Sequence, residues 1–347
     1  MDSETAPWTL SEAGTKKVAG SSNQRPSDFY GVNMAKEFKT LDELIALLES
    51  RGVETDGETK RQLIRESYYA IVNGYKGPFL DRENMAGTNE DLFLPGTRFE
   101  WIYSLFMFDR DLRGIAFKFI TRAEAIMKNS LVYAFCEAYP DPNAYLDISS
   151  YVDADNFLVP ESGKLKKRRL HQRNLATLLR ILNGKVGGKS EKGFIKHYID
   201  HYGFVPLWVL SNDLTFGNMA HFYQLQRRGI QNKTCKLVLE GSDKQNEGGR
   251  ITPLQLLHSF SVLVDFRNLC AHDDRLYCAK TGRSHDIAFA NMAVELKRIL
   301  PEDEMENFLN EINGLFESYG SKLHGVDRIR LINEMGFWIP SDEEQSE

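Results

Sequence analysis

Paired cysteines are missing from this sequence. Its four cysteines, Cys136, Cys235, Cys270 and Cys278, are scattered and form no Cys-x-x-Cys pair. That argues against a disulfide framework and a thiolate zinc site, and for a reducing compartment. An apolar run of membrane-spanning length is missing too. The most apolar stretch, Thr252 to Ala271, carries Asp265 midway, whereas a transmembrane helix needs about 20 largely uncharged residues. The opening Met1-Asp2-Ser3-Glu4 supplies neither the basic nor the apolar region of a secretion signal, so a cytoplasmic chain with no membrane partner is expected. There is no excess of positive charge: 43 Lys and Arg against 49 Asp and Glu leave a net charge of −6. Any nucleic-acid contact must therefore be local. No convincing alternating strand, glycine-rich phosphate loop or internal repeat is found, which leaves an all-α fold.

What is present, over 347 residues, is enough for one large domain or two. Residues 1–36 are rich in Ser, Thr, Gly, Asn and Lys without a period, and read as a mobile tail. Thr40 and Glu43 form a capping box ahead of Leu44, Ile45, Leu47 and Leu48, with Gly52 as the stop. A second helix is predicted from about Glu58 to Val72. Thr97 and Glu100 form another capping box, opening an apolar stretch from Phe99 to Tyr139 that Pro140 ends. Gly114 is predicted to break that stretch in two. Within it Asp109, Arg110, Asp111 and Arg113 alternate in sign, as a surface ion-pair ladder does. Further helices are predicted from Pro206, from Phe216, over Asp286–Leu300, over Glu302–Tyr319 and over Val326–Met335. Met305, Phe308, Leu309, Ile312, Leu315, Phe316 and Tyr319 make a stripe that reads as core. The predicted organisation is a tail (1–36), an N-terminal helical segment (37–96), a helical core (97–300), and C-terminal helices with an acidic tail (301–347).

The stretch that stands out closes the most apolar helix. Thr252 caps it and Pro253 takes the first helical position. Leu256, Leu257, Phe260, Leu263, Val264 and Phe266 then fill a wide apolar face. The helix runs out in Arg267-Asn268-Leu269-Cys270-Ala271-His272. Asn268 and His272 lie four apart and share a face. Arg267 stands about 140° from His272, so its side chain must reach round or the helix must loosen near His272. A guanidinium, an amide and an imidazole at one buried helix end suit a phosphate to be held and a proton to be moved. The competing reading is a satisfied core histidine and an arginine paired with Asp265 or Asp273. Asp273 and Asp274, next to the imidazole, favour its charged form.

Three other clusters carry charge or ligand atoms. Glu124 and Lys128, four apart and flanked by Ile120, Ile126, Met127 and Leu131, read as a partly buried pair. Lys164, Lys166, Lys167, Arg168 and Arg169, with Arg173 and Arg180 on the same predicted helix, are either a solvated face or a contact for a phosphate backbone. His197 and His201 have the spacing of metal ligands. With no third ligand and no neighbouring general base they read as a polar helix face, and no metal is expected.

Several blocks, in order, resemble the bacterial Abi-like family, the AbiD/AbiF abortive-infection proteins. They are Ser50-Arg51-Gly52-Val53; Glu66-Ser67-Tyr68-Tyr69 with Gly74-Tyr75 and Pro78-Phe79; Gly96-Thr97-Arg98-Phe99 leading to Phe108-Asp109-Arg110-Asp111-Leu112-Arg113; Pro206-Leu207-Trp208-Val209-Leu210 with Phe216-Gly217; and Arg267 to His272 followed by Arg275-Leu276. The resemblance runs from about Lys36 to Tyr277. It implies a HEPN-type helical bundle, with residues 97–300 as its core and extra helices at both ends. It also implies an Arg-x4-His motif that cuts RNA, in a homodimer that brings two motifs together. Type VI CRISPR effectors share that motif. Phage defence or a toxin–antitoxin setting is implied, and some members work with a small structured RNA.

Under this resemblance Arg267, Asn268 and His272 are the catalytic set, with no cofactor. Glu124 matches the family's glutamate on the long earlier helix, and Arg275 follows the motif as support. Lys128 stands where an arginine is frequent; it keeps the charge and loses the bidentate fork. The basic strip from Lys164 to Arg173 is the candidate RNA contact. The alternative is a non-catalytic RNA-binding or small-RNA-associated regulatory protein. A toxin silenced by nucleotidylation would carry tyrosine two after the histidine, where this chain has Asp274.

Overall fold

The computed structural model describes residues 37–85, 90–160, 166–244, 248–326 and 328–337. The tail expected at 1–36, the acidic end past 337 and Lys164 lie outside these residues. Twelve α-helices are described: α1 (Leu41–Ser50), α2 (Thr59–Glu66), α3 (Phe99–Ala138), α4 (Lys167–Gly184), α5 (Gly193–Tyr202), α6 (Leu207–Leu210), α7 (Phe216–Gln224), α8 (Arg228–Gly241), α9 (Pro253–Ala271), α10 (Phe289–Ile299), α11 (Glu302–Tyr319) and α12 (Arg328–Glu334). Among the described residues only isolated β-bridges occur and no strand forms. The fold is all-α, as the missing alternation requires.

The capping chemistry at α1 and α9 is that expected from sequence. The Thr40 hydroxyl accepts from Glu43 N–H while the Glu43 carboxylate accepts from Thr40 N–H, and Gly52 follows at φ +91°. Thr252 and Gln255 close the same reciprocal box ahead of Pro253. At α3 the expected box is absent. The helix opens at Phe99, and the Thr97 hydroxyl donates to the Leu94 carbonyl instead.

Two predicted helices are corrected. The one placed over Glu58–Val72 stops at Glu66, because Ser67 turns to φ +64°; a π-helical turn, Tyr69–Asn73, follows. The break predicted at Gly114 does not exist, and α3 runs 40 residues through it. A helical glycine costs only about 1 kcal/mol. Leu112, Ala116, Phe119 and Ile120, all buried, together return several times that by staying on one helix face.

The described chain forms two compact units. The first holds the residues up to Arg110 with Leu315–Asn333. Phe108 packs there on Phe316 and Tyr319 at ring-centroid distances of 5.1 and 5.7 Å. The alternating charges are not a surface ladder here. Asp109 is fully buried and accepts from the Tyr75 hydroxyl at 2.6 Å. Arg110 grips Glu66 with two bonds of 2.6 and 2.5 Å, which hold that carboxyl below its usual range. Alternation in sequence signals pairing, but only the tertiary neighbours decide whether the pair is exposed.

The second unit spans Asp111–Gly314 with Glu334–Gly336, and α9 is its axis. Helices α7, α8 and α10 pack against α9. Phe260 meets Phe216 at 5.6 Å and stacks on Tyr223 at 5.2 Å. On the α10 side Ser259 donates to the buried Glu295 at 2.5 Å, and Glu295 also pairs with Arg298. Phe119 and Phe289 enclose Phe308 of α11. Of the α11 stripe, Met305, Phe308 and Ile312 are buried in this unit, so the stripe is core.

Candidate functional site

Helix α9 loses its partners as it ends. Leu256, Phe260, Leu263 and Phe266 are fully buried, whereas Asn268, Ala271 and His272 are exposed. The helix end expected to be buried is therefore open to solvent on the motif side. The chain turns off the helix after His272, where Asp273 takes φ +59°. His272 is the C-cap residue, at φ −101° and ψ 10°, with its N–H on the Asn268 carbonyl at 3.0 Å. Its ring has no hydrogen-bond partner among the described residues. The helix thus ends at His272, the residue five after Arg267.

Arg267 points back toward α3. Its Nε lies 3.9 Å from Glu124 Oε2, and its Nη1 donates to Asn268 Oδ1 at 3.4 Å. Glu124 also faces Lys128, 3.7 Å away, with side chains 14% and 18% exposed. The Lys128 ammonium donates to the Leu214 carbonyl at 3.1 Å. The sequence pair is therefore partly buried, as read, and it backs the motif arginine. At 3.9 Å the Arg267–Glu124 approach is Coulombic without a hydrogen bond. The Arg267 Nε–H, although buried, has no acceptor, so one donor of this guanidinium is unspent.

The competing pairings are not those found. Arg267 turns to Glu124, not to Asp265 or Asp273. Asp265 is half-buried, and burial raises its carboxyl above the usual range while a Gly282 backbone bond pulls the other way. Asp273 is taken by a residue the sequence reading placed on the surface. Arg113 of α3, almost fully buried, donates to Asp273 Oδ1 at 2.5 Å and to the Asp274 carbonyl at 3.3 Å. Only the Asp-Arg-Asp-x-Arg run itself could have flagged it, and that run does not disclose a partner 160 positions away. Arg275 is exposed, while Leu276 and Tyr277 bury themselves and anchor the chain beyond the motif.

The basic strip lies on α4, which packs on α7, itself against α9. Lys167 is spent on the Asp155 carbonyl and Arg168 on the Asp155 carboxylate at 3.0 Å. Lys166, Arg169 and Arg173 are exposed and meet no carboxylate among the described residues. Arg173 lies near His221, whose imidazole is pushed below its usual value by burial and then by that guanidinium. The rings of His197 and His201 sit 4.2 Å apart on α5, and the His201 Nδ1 lies 3.0 Å from the His197 carbonyl. No group of three or more metal-ligating side chains occurs among the described residues, nor is any described helix long and apolar enough to cross a membrane.

A helical protein that offers an arginine, an asparagine and a solvent-facing imidazole at one helix end is equipped for anion binding and proton transfer. The chain belongs to the Abi-like protein family, whose model matches residues 61–278. No curated protein and no solved structure matches it. Membership of this Abi-like family suggests abortive infection, a form of phage defence.

Proposed function

We propose that the protein is a HEPN-type endoribonuclease of phage defence. The observation that carries this reading is that one helix end holds both an exposed imidazole, whose ring has no hydrogen-bond partner among the described residues, and a guanidinium backed by the Glu124 carboxylate. His272 takes the proton of the ribose 2′-hydroxyl or returns one to the 5′-oxygen leaving group. Arg267 binds the scissile phosphate and offsets the charge that develops there. Asn268 orients the phosphate or the imidazole, and Glu124 with Lys128 holds Arg267 from behind. Attack by the neighbouring 2′-oxygen needs only acid and base, so the reading is metal-independent and gives 2′,3′-cyclic phosphate and 5′-hydroxyl ends. One histidine cannot serve as acid and base at once, and a two-fold homodimer pairing two motifs answers this. Lys166, Arg169 and Arg173 are available to an RNA backbone, substrate or small structured RNA.

The test is RNA incubated in EDTA with wild type and His272→Ala. Cleavage by wild type alone, with cyclic-phosphate ends, is expected; equal cleavage by both, or none by wild type, would sink the assignment. The exposed strip on α4 also favours a second reading, a non-catalytic RNA-binding regulator. Retention of RNA by both proteins without any new ends would select it.

A further inference from the structure

The residue that stops α9 is an unusual choice. Asp273, directly after the C-cap His272, has φ +59°, in the left-handed region that glycine normally occupies at this place. The Asp274 N–H reaches back to the Leu269 carbonyl at 3.1 Å, the long bond of a Schellman turn. Aspartate tolerates this conformation better than most residues, yet glycine would take it with no strain at all. What Asp273 adds is a carboxylate. Arg113 uses it, reaching Oδ1 with Nη2 at 2.5 Å and the next carbonyl, of Asp274, with Nη1 at 3.3 Å. The Arg113 side chain is 4% exposed and that of Asp273 60%. A rigid fork rooted in the 40-residue α3 thus closes on the outer, solvent-facing turn.

We infer that Arg113 is a positioning residue for the site: its grip on Asp273 and on the Asp274 carbonyl fixes where α9 ends, and so where the His272 imidazole stands. Helix ends fray when their last carbonyls and turn residues are unheld. An imidazole on a C-cap would fray with them, and a displacement of about 1 Å at a reacting group costs on the order of 100-fold in rate. Arg113 touches no substrate. A lysine could not make both bonds from one planar group. The consequence for rate rests on the nuclease reading, whereas the consequence for the His272 ring does not.

The experiment compares wild type, Arg113→Met, Asp273→Gly and the double variant. It reads steady-state RNA cleavage and the imidazole resonances of His272, assigned by their loss in His272→Ala. Asp273→Gly keeps the left-handed turn and removes the carboxylate that Arg113 grips, leaving the Asp274 carbonyl in place. The expected result is a fall of about 100-fold in kcat for either single variant, with KM within about twofold. The His272 resonances should narrow and shift toward free histidine, and the double variant should be no worse than either single one. If Arg113→Met fails to fold, Asp273→Gly alone decides, since its side chain is exposed. An unshifted His272 signal with full kcat in Asp273→Gly, or additive losses in the double variant, would overturn the inference. If wild type cuts no RNA, the nuclease reading falls, and the His272 signal still decides the positioning.

Discussion

Replacing Gly114 with alanine should make this protein more stable. Gly114 lies inside α3, exposed and with helical neighbours on both sides. A Cβ built there meets nothing within 4 Å. The change therefore adds no clash and buries no new surface, so only the backbone contribution counts. Alanine is favoured over glycine in a helix interior by about 0.8–1.0 kcal/mol, largely because the unfolded chain loses freedom. The second compact unit, which holds this residue, has roughly 200 residues, and a gain near 1 kcal/mol in a unit of that size raises Tm by about 2–4 °C. Calorimetry on the purified pair measures it directly, and Gly114→Pro should cost at least about 3 kcal/mol as a control for helix continuity. An unchanged or lower Tm for Gly114→Ala would mean that the backbone at this point is bent or strained. The account of α3 as one rod, on which Arg113 and Glu124 are both mounted, would then fail.

Phe266→Ala empties a fully buried site just before the motif and should cost about 3–5 kcal/mol in urea unfolding. Asp265→Asn should raise the urea midpoint at pH 7. Burial holds the folded carboxyl above its unfolded value, so this group favours folding at pH below the unfolded pKa and loses that as pH rises through the folded one. The gain from asparagine should then shrink on acidification and vanish below about pH 3.9. Arg169→Ala with Arg173→Ala should weaken RNA binding about equally for all sequences and lower the slope of log K against log salt by about 2; an unchanged slope would remove the strip from the interface.

Much of the fold was legible where the signal is local. The Thr40 and Thr252 caps, the Glu302–Tyr319 helix and the apolar face of α9 follow from periodicity and from side chains bonding backbone three residues on. The partial burial of Glu124 and Lys128 could be read as well, because their apolar neighbours share the helix surface. Ser67 was not legible. Serine carries no mark of the left-handed turn it takes here at φ +64°. Gly114 misled for the converse reason: its local preference is weak and was overruled by packing at Leu112, Ala116 and Phe119.

The sequence alone determined that this is an all-α chain, that its greasiest helix ends in arginine, asparagine and histidine, and that a glutamate–lysine pair stands ready on another helix. Helix periods and caps are near-neighbour physics, so they can be read in a string of letters. Only the tertiary structure decided that the motif end faces water, that Arg267 leans on Glu124, and that buried Arg113 closes on Asp273. Those pairings join residues more than a hundred positions apart. They are chosen by which helix faces meet when the core forms, and no local pattern encodes that choice.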